Sequence, residues 1–487
     1  MNIIYFNPDE MRADTLGCYG HPLVKTPNID RLAARGTLFE KCFAQHTVCS
    51  PSRCSFMTGW YPHTRGHRSL WHLLQPDEPN TLKYLKQNGY QVHYLGKNDL
   101  LSNKAVADCI DVLYPQMPGC SFERMYDDPD HSGFMSMLCK PMKDDHADYH
   151  RVQAAADFVK SWRTGDKPFM LFMGQVLPHC PYTAPEPWYS MYSPEDIPPL
   201  LAENIDKAPS FHRWIKEYRR LNECREDMAK IMVVYLGMVS YVDHMFGILL
   251  DALDESAAAD NTAVFFFSDH GDWAGDRGLV EKWPSALDDR LIHVPLIIAA
   301  PGGKAGHRVS EPVELFDIAP TVAALTGTPL RHTQYGHNLT PQLNGEAGDS
   351  NREVFAEGGY DHDADIACFE HIGGIPGERG YNNISIIDNP LSHYYPKGIQ
   401  QKEKPESICR SVMIRTMKHK LIRREHDVNE LYDLVKDPGE LNNLYYDPEY
   451  QLLRAGLNER LLLWYLRTSD VTPWGRDTGT PFPVMKG

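Results

Sequence analysis

The chain has no excess of positive charge: 49 Lys and Arg stand against 65 Asp and Glu in 487 residues, a formal charge of −16 with histidine neutral. Nucleic acids and anionic membranes are bound through a concentrated basic face that neutralises phosphate, so neither partner is expected, while a small basic pocket stays compatible with the total. Long apolar runs are missing as well. No stretch approaches the roughly 18 uncharged apolar residues of a bilayer span, and the longest candidate, 231–242, runs into Asp243 and His244 and reads as a buried helix. The first residues, Met1-Asn2-Ile3-Ile4-Tyr5-Phe6, offer neither a basic leader nor a cleavable apolar segment and pass straight into a strand-like run. Cysteine pairing is absent too: eleven cysteines, an odd number, are scattered without paired spacing, which fits a reducing compartment better than a disulfide framework. These absences lead to the expectation of a cytoplasmic protein with no internal repeat.

What is present supports a large core, since 42% of the residues are hydrophobic, and the length suggests two or three domains. Over residues 1–345 short apolar runs alternate with helical patterns, the signature of an α/β domain on a mainly parallel sheet. Ile3 to Phe6, Val92 to Leu95, Phe169 to Met173, Val264 to Phe267 and Leu296 to Ala299 read as strands. Thr26, Pro27 and Gly36 mark the start and stop of one helix, and Asn80/Thr81 and Gly89 those of another. From 346 to 487 the texture changes. An irregular stretch from Gly358 to Lys404 reads as an insert or substrate loop. Val412 to Ile414, Lys420 to Arg423 and Glu430 to Asp433 follow as short antiparallel strands, and Asp447 to Thr468 as a closing helix.

The segment richest in chemistry is Val48-Cys49-Ser50-Pro51-Ser52-Arg53, followed by Cys54-Ser55-Phe56-Met57-Thr58-Gly59. Ser50 reads as an N-cap, Pro51 as the first helical position and Gly59 as the stop, which sets Cys49 just ahead of a helix N-terminus. Free N–H groups and the positive dipole end favour an anion there, and Arg53, one turn on, adds a charged fork. A buried structural cysteine is the plain alternative. Asp9 lies just past the first strand and Asp269 just past 264–267, so a parallel sheet brings both carboxylates to one C-terminal edge. Each alone suits a turn or cap; together with His270, and beside an anion pocket, they call for a counter-cation.

The Cys-x-Pro-x-Arg run with its Ser-x-x-Thr-Gly continuation resembles the signature of the sulfatase family, in which the cysteine is oxidised to formylglycine. The resemblance extends over nearly the whole chain: Asp9 to Gly20, Thr26-Pro27-Asn28-Ile29-Asp30, Ser268-Asp269-His270-Gly271-Asp272, Val294-Pro295-Leu296-Ile297, Asp317-Ile318-Ala319-Pro320-Thr321 and Glu430-Leu431-Tyr432-Asp433-Leu434 stand in family order. It implies an alkaline-phosphatase-like α/β fold with a smaller C-terminal α+β subdomain, here placed at 346–487. It also implies one divalent ion held by Asp9, Asp269, His270 and the formylglycine of Cys49. Oxygen-rich ligation favours Ca²⁺, while the histidine would also suit Mn²⁺ or Zn²⁺. By the same resemblance Arg53, Lys97 and Lys282 surround a sulfate ester and His179 protonates the leaving alcohol. Read singly, Lys97 and Lys282 suit a solvated surface and His179 a satisfied loop histidine.

Two departures stand out. Many sulfatases carry two consecutive aspartates where this chain has Asp9-Glu10, which leaves Glu10 without a role. The lysine matching Lys97 is commonly followed two residues on by a histidine, where this chain has Asp99; the base that regenerates the aldehyde is then Asp99 or another histidine, His46 or His67 being nearest in sequence. His63, Arg65, His67, Arg68, Trp71 and His72 offer either a cationic, aromatic pocket mouth for a sulfated saccharide or a structural loop with solvated charges. The implied activity is sulfate ester hydrolysis on a small sulfated substrate, expected to be a saccharide, with a maturation enzyme as the other partner. Alternatives are a phosphonate monoester or phosphodiester hydrolase of the same superfamily and a non-catalytic binder of sulfated ligands.

Overall fold

The computed structural model describes residues 1–115, 117, 122–123, 137–203, 206–223, 227–360 and 394–472. Most of the expected insert, 361–393, lies outside them.

A nine-stranded sheet is built from β1 (Asn2–Asn7), β2 (Thr37–Phe43), β3 (Gln91–Gly96), β4 (Val112–Leu113), β5 (Phe169–Gly174), β6 (Thr262–Phe267), β7 (His293–Val294), β8 (Leu296–Ala299) and β9 (His307–Glu314). Its order is β4-β3-β5-β1-β6-β8-β2-β7, with β9 beside β2. From β4 to β6 every pairing is parallel, and β8 runs antiparallel to both β6 and β2. The mainly parallel reading holds, with β7 and β8 the reversed strands. Between β6 and β8 the chain spends 268–292 at the sheet edge on loops, a 3-10 turn at Asp276–Gly278 and the one-turn helix Asp289–Ile292, and returns in the opposite sense.

Central strands are apolar throughout because helices cover both faces. Ile4 and Phe6 enter one core cluster and Ile3 and Tyr5 the other, the period of two expected of a pleated strand. The first face is covered by helices Ala147–Ser161 and Met228–Asp254. Phe246 of the longer helix stands 4.8 Å from the Phe6 ring. That helix is long and apolar enough to cross a membrane, yet 89% of its most apolar window is buried in the protein, as the 231–242 run led one to expect. Helix α1 (Pro27–Arg35) has the expected bounds, but its first N–H groups are capped from a distance: Asp243 Oδ1 accepts from Asn28 at 2.9 Å and from Ile29 at 2.8 Å.

A second, antiparallel sheet runs β10-β11-β12-β13, where β10 is Val354–Gly358, β11 Ser411–Arg415, β12 His419–Arg424 and β13 Glu430–Asp433. Three of these strands were legible; β10 was not. Helix Gln451–Thr468 packs on it through Trp464, whose ring lies 4.9 Å from Phe355 and nearly parallel. This sheet grips the loops leading to the first. Trp283 Nε1 donates to Ser407 O at 2.6 Å, Arg424 to Ser285 O, and Arg415 and Lys420 pair with Asp289 at 3.0 and 2.9 Å. Among the described residues eight cysteines are free and none is paired.

Candidate active site

Helix α2 (Cys49–Thr58) starts two residues earlier than the Ser-Pro pattern suggests, with Val48 as N-cap and Ser52 N–H closing the first turn on Val48 O. Pro51 fits because the first N–H groups of a helix have no internal partner, so proline is tolerated anywhere in that turn. Gly59, left-handed at φ 74°, ends the helix as expected. All ten residues of α2 are buried, which is why a helix of such low amphipathicity is stable there.

The helix start faces the C-terminal edge of the parallel strands. Asp9 follows β1 and Asp269-His270 follow β6, and ligand atoms of Asp9, Cys49, Asp269 and His270 all lie within 4.8 Å of one another. Cys49 Sγ stands 3.4 Å from Asp9 Oδ1, 3.2 Å from His270 Nε2 and 3.3 Å from Lys97 Nζ. Burial pushes the Cys49 thiol up, with Asp9 adding to it against the opposing lysines, so it is a protonated thiol rather than a ready nucleophile.

Arg53 ties the two carboxylates together, donating Nε to Asp269 at 2.8 Å and Nη2 to Asp9 at 3.0 Å. Lys97, just past β3, reaches Asp9 at 2.6 Å and Asp99 at 3.1 Å. Burial alone would raise the Asp9 carboxyl, but Lys97 and Arg53 hold it well below the ordinary carboxylate range. His270 is neutral because burial lowers it, and its Nδ1 faces Gly271 O at 3.0 Å, which leaves the Nε2 lone pair turned toward Asp9 and Cys49. Two buried carboxylates, one imidazole nitrogen and the side chain of residue 49 form a donor set that could hold a divalent cation.

His179 and Lys282 meet on the far side of Cys49's cluster. Lys282 Nζ is 3.2 Å from His179 Nε2, and His179 Nδ1 donates to Cys180 O at 2.5 Å. Burial, then the charge of Lys282, pushes His179 well below its ordinary range, so it is a neutral acceptor facing an ammonium. Lys282 also donates to Glu10 Oε1, and Glu10 groups with His179 and Cys180 rather than with the first cluster. The sequence offered no signal for that contact, because 272 positions separate the partners. Asp99 sits on Lys97, His46 Nδ1 accepts from Val48 N–H at 3.0 Å, and His67 bridges His72 O and Glu78.

The segment after α2 takes its structural reading. His63 Nδ1 and Arg68 both bond the buried Glu357 of β10, while Arg65 and His67 pair with Glu78. His63 and Arg68 thereby tie this segment to the second sheet, and Arg65 and His67 tie it to Glu78.

Residues 1–328 match the family model described as Sulfatase. The chain belongs to the sulfatase family. Residues 388–465 of this sulfatase match a second model, described as N-sulphoglucosamine sulphohydrolase, C-terminal. It is similar to iduronate 2-sulfatase of Homo sapiens, 28% identical over 384 residues, which covers 67% of this chain and 69% of the relative. It is 25% identical over 540 residues to N-acetylglucosamine-6-O-sulfatase of Bacteroides thetaiotaomicron, covering 98% of this chain and 88% of that one. Among solved structures, phosphonate monoester hydrolase of Agrobacterium radiobacter superposes with a TM-score of 0.74 at 23% identity over 96% of each chain, a likeness of fold. The sulfatase is thus an alkaline-phosphatase-like α/β protein and a sulfuric ester hydrolase.

Proposed function

We propose that this sulfatase hydrolyses sulfate esters of a saccharide, with residue 49 acting as formylglycine beside a divalent cation. The observation that carries the reading is the position of Cys49: first residue of a buried helix, its sulfur within 3.4 Å of Asp9, His270 and Lys97. A saccharide is favoured by two of the similar proteins, which are named for iduronate and N-acetylglucosamine sulfates.

Asp9, Asp269, His270 and residue 49 would hold the cation, Ca²⁺ by the weight of oxygen donors. The hydrated aldehyde and the cation together supply an oxygen nucleophile and Lewis acidity. The rest falls to the chain. Arg53 keeps the two aspartates in register, so their charges stay together at the strand edge without mutual repulsion. Lys97 and Lys282 bring positive charge to either side of residue 49, where a sulfate ester is anionic and gains charge as its bond breaks. His179 and Lys282 share the leaving-group side. As the S–O bond to the alcohol breaks, the departing oxygen takes one proton from this pair, and solvent restores it.

Mass spectrometry of the peptide containing Cys49, from a host with a competent maturation enzyme, is expected to find the aldehyde, and Cys49→Ala to abolish turnover. An unmodified thiol in fully active protein would refute the reading. Parallel assays with aryl sulfate, phosphonate monoester and phosphodiester decide the substrate class; a clear preference for phosphorus esters would favour the phosphonate hydrolase alternative.

A further inference from the structure

We propose that Glu10 is a positioning residue for the leaving-group pair and not a metal ligand: its carboxylate holds the Lys282 ammonium against His179 Nε2. The inference rests on the reading of His179 and Lys282 as the leaving-group side.

Asp9 and Glu10 are adjacent in sequence, yet their carboxylates serve different clusters. Asp9 turns toward Cys49, Asp269 and His270, and Glu10 toward His179 and Cys180. The backbone divides them. Glu10 is left-handed at φ 65°, a conformation a non-glycine residue keeps only where its surroundings impose it. Those surroundings are visible on both peptide groups. Glu10 N–H donates to Asp269 Oδ1 at 3.3 Å, and Glu10 C=O accepts from Tyr235 OH, whose oxygen accepts in turn from Arg12 N–H at 3.1 Å.

The side chain is fixed as firmly. Oε1 accepts from Lys282 and lies 3.8 Å from His179 Nε2, while Oε2 accepts from Cys180 N–H at 3.4 Å. A second glutamate attends the same lysine. Glu281, also left-handed at φ 59°, stands 3.7 Å from Lys282 Nζ and is itself held by Arg219 and by Lys397 at 2.8 Å. Lys282 Nζ therefore has two carboxylates on left-handed backbone and His179 Nε2 around it. The extra methylene of glutamate supplies the reach. An aspartate at position 10, as in many sulfatases, would stop short of Lys282.

Glu10→Gln and Glu10→Asp in the full, matured enzyme test this. Two quantities are read: bound metal per chain by elemental analysis after dialysis, and kcat/KM across aryl esters whose phenols differ in acidity. Both variants are expected to keep the wild-type metal content. Both should lose about tenfold or more additional activity on esters of the least acidic phenols relative to the most acidic, as loss of leaving-group protonation predicts. Loss of metal in Glu10→Gln with full recovery of metal and activity in Glu10→Asp would overturn the proposal, as would a loss that is uniform across leaving groups. The metal measurement needs no substrate, and the slope is measured on sulfates or on phosphonate monoesters, whichever the wild type turns over. A wrong substrate class is thereby distinguished from a wrong role for Glu10.

Discussion

Glu357 shows how a single residue can serve stability rather than chemistry in a charged neighbourhood. It is fully buried, which alone would raise its carboxyl, but Arg68 and then His63 hold it down at about 2. A carboxyl depressed below its unfolded value stabilises the fold above the ordinary carboxylate range, and that stabilisation is lost as pH falls through the folded value. A drop from 4.5 to about 2 corresponds to about 3 kcal/mol. In urea unfolding, Glu357→Gln is expected to be less stable than wild type at pH 6, with the gap narrowing between pH 4.5 and 2; a gap that stays constant would contradict this. The same residue shows the limit of reading sequence alone. Cys49, Arg53, Asp9 and the Asp269-His270 pair were legible because each stands in a short local pattern at a strand or helix end. The partners of His63, Arg68 and Lys282 were not, since each bond closes a loop of more than 250 residues and leaves no trace in local spacing.

At the scale of elements, the site depends on how closely β3 and β5 end together. Gly96 closes β3 in a left-handed conformation at φ 97°, and a Cβ there would lie 2.0 Å from Gly174 O, the acceptor for Lys97 N–H. Gly174 has no room either, with Lys97 O at 2.7 Å and Arg53 Nη1 at 3.1 Å from an added Cβ. Gly96→Ala is therefore expected to cost more than about 1 kcal/mol and to displace Lys97. Differential scanning fluorimetry should show a lower Tm and steady-state assays a lower kcat/KM; a variant that matched wild type in both would show that the strand ends tolerate separation. β1, β3, β5, β6 and β8 announced themselves as apolar runs and α1 by its Thr-Pro start, whereas β2, β4, β7 and β9 did not. β10 escaped notice because five residues, one of them the charged Glu357, carry no alternation. The start of α2 was misplaced because Ser50 and Pro51 satisfy rules for a helix entry at more than one position.

For the whole molecule, the two sheets read as separate stretches of sequence but share the loop 281–289. Lys397 holds Glu281, Ser407 and Arg424 hold Trp283 and Ser285, and Arg415 and Lys420 hold Asp289. A loop gripped this way ties the loss of one sheet to the loss of the site. Near-ultraviolet circular dichroism and residual activity are expected to fall together in one thermal transition. Activity disappearing well before the spectral change would show that the small sheet detaches alone. The burial of α2 carries a consequence of timing. Cys49 is 2% exposed in the finished fold, so an enzyme that converts its thiol has to reach it while the chain is still open. On the formylglycine reading proposed above, conversion and folding race, and a host that folds the chain quickly but modifies it slowly would yield protein that is compact, stable and permanently idle. Yield and melting temperature would miss the difference between such a preparation and a working one.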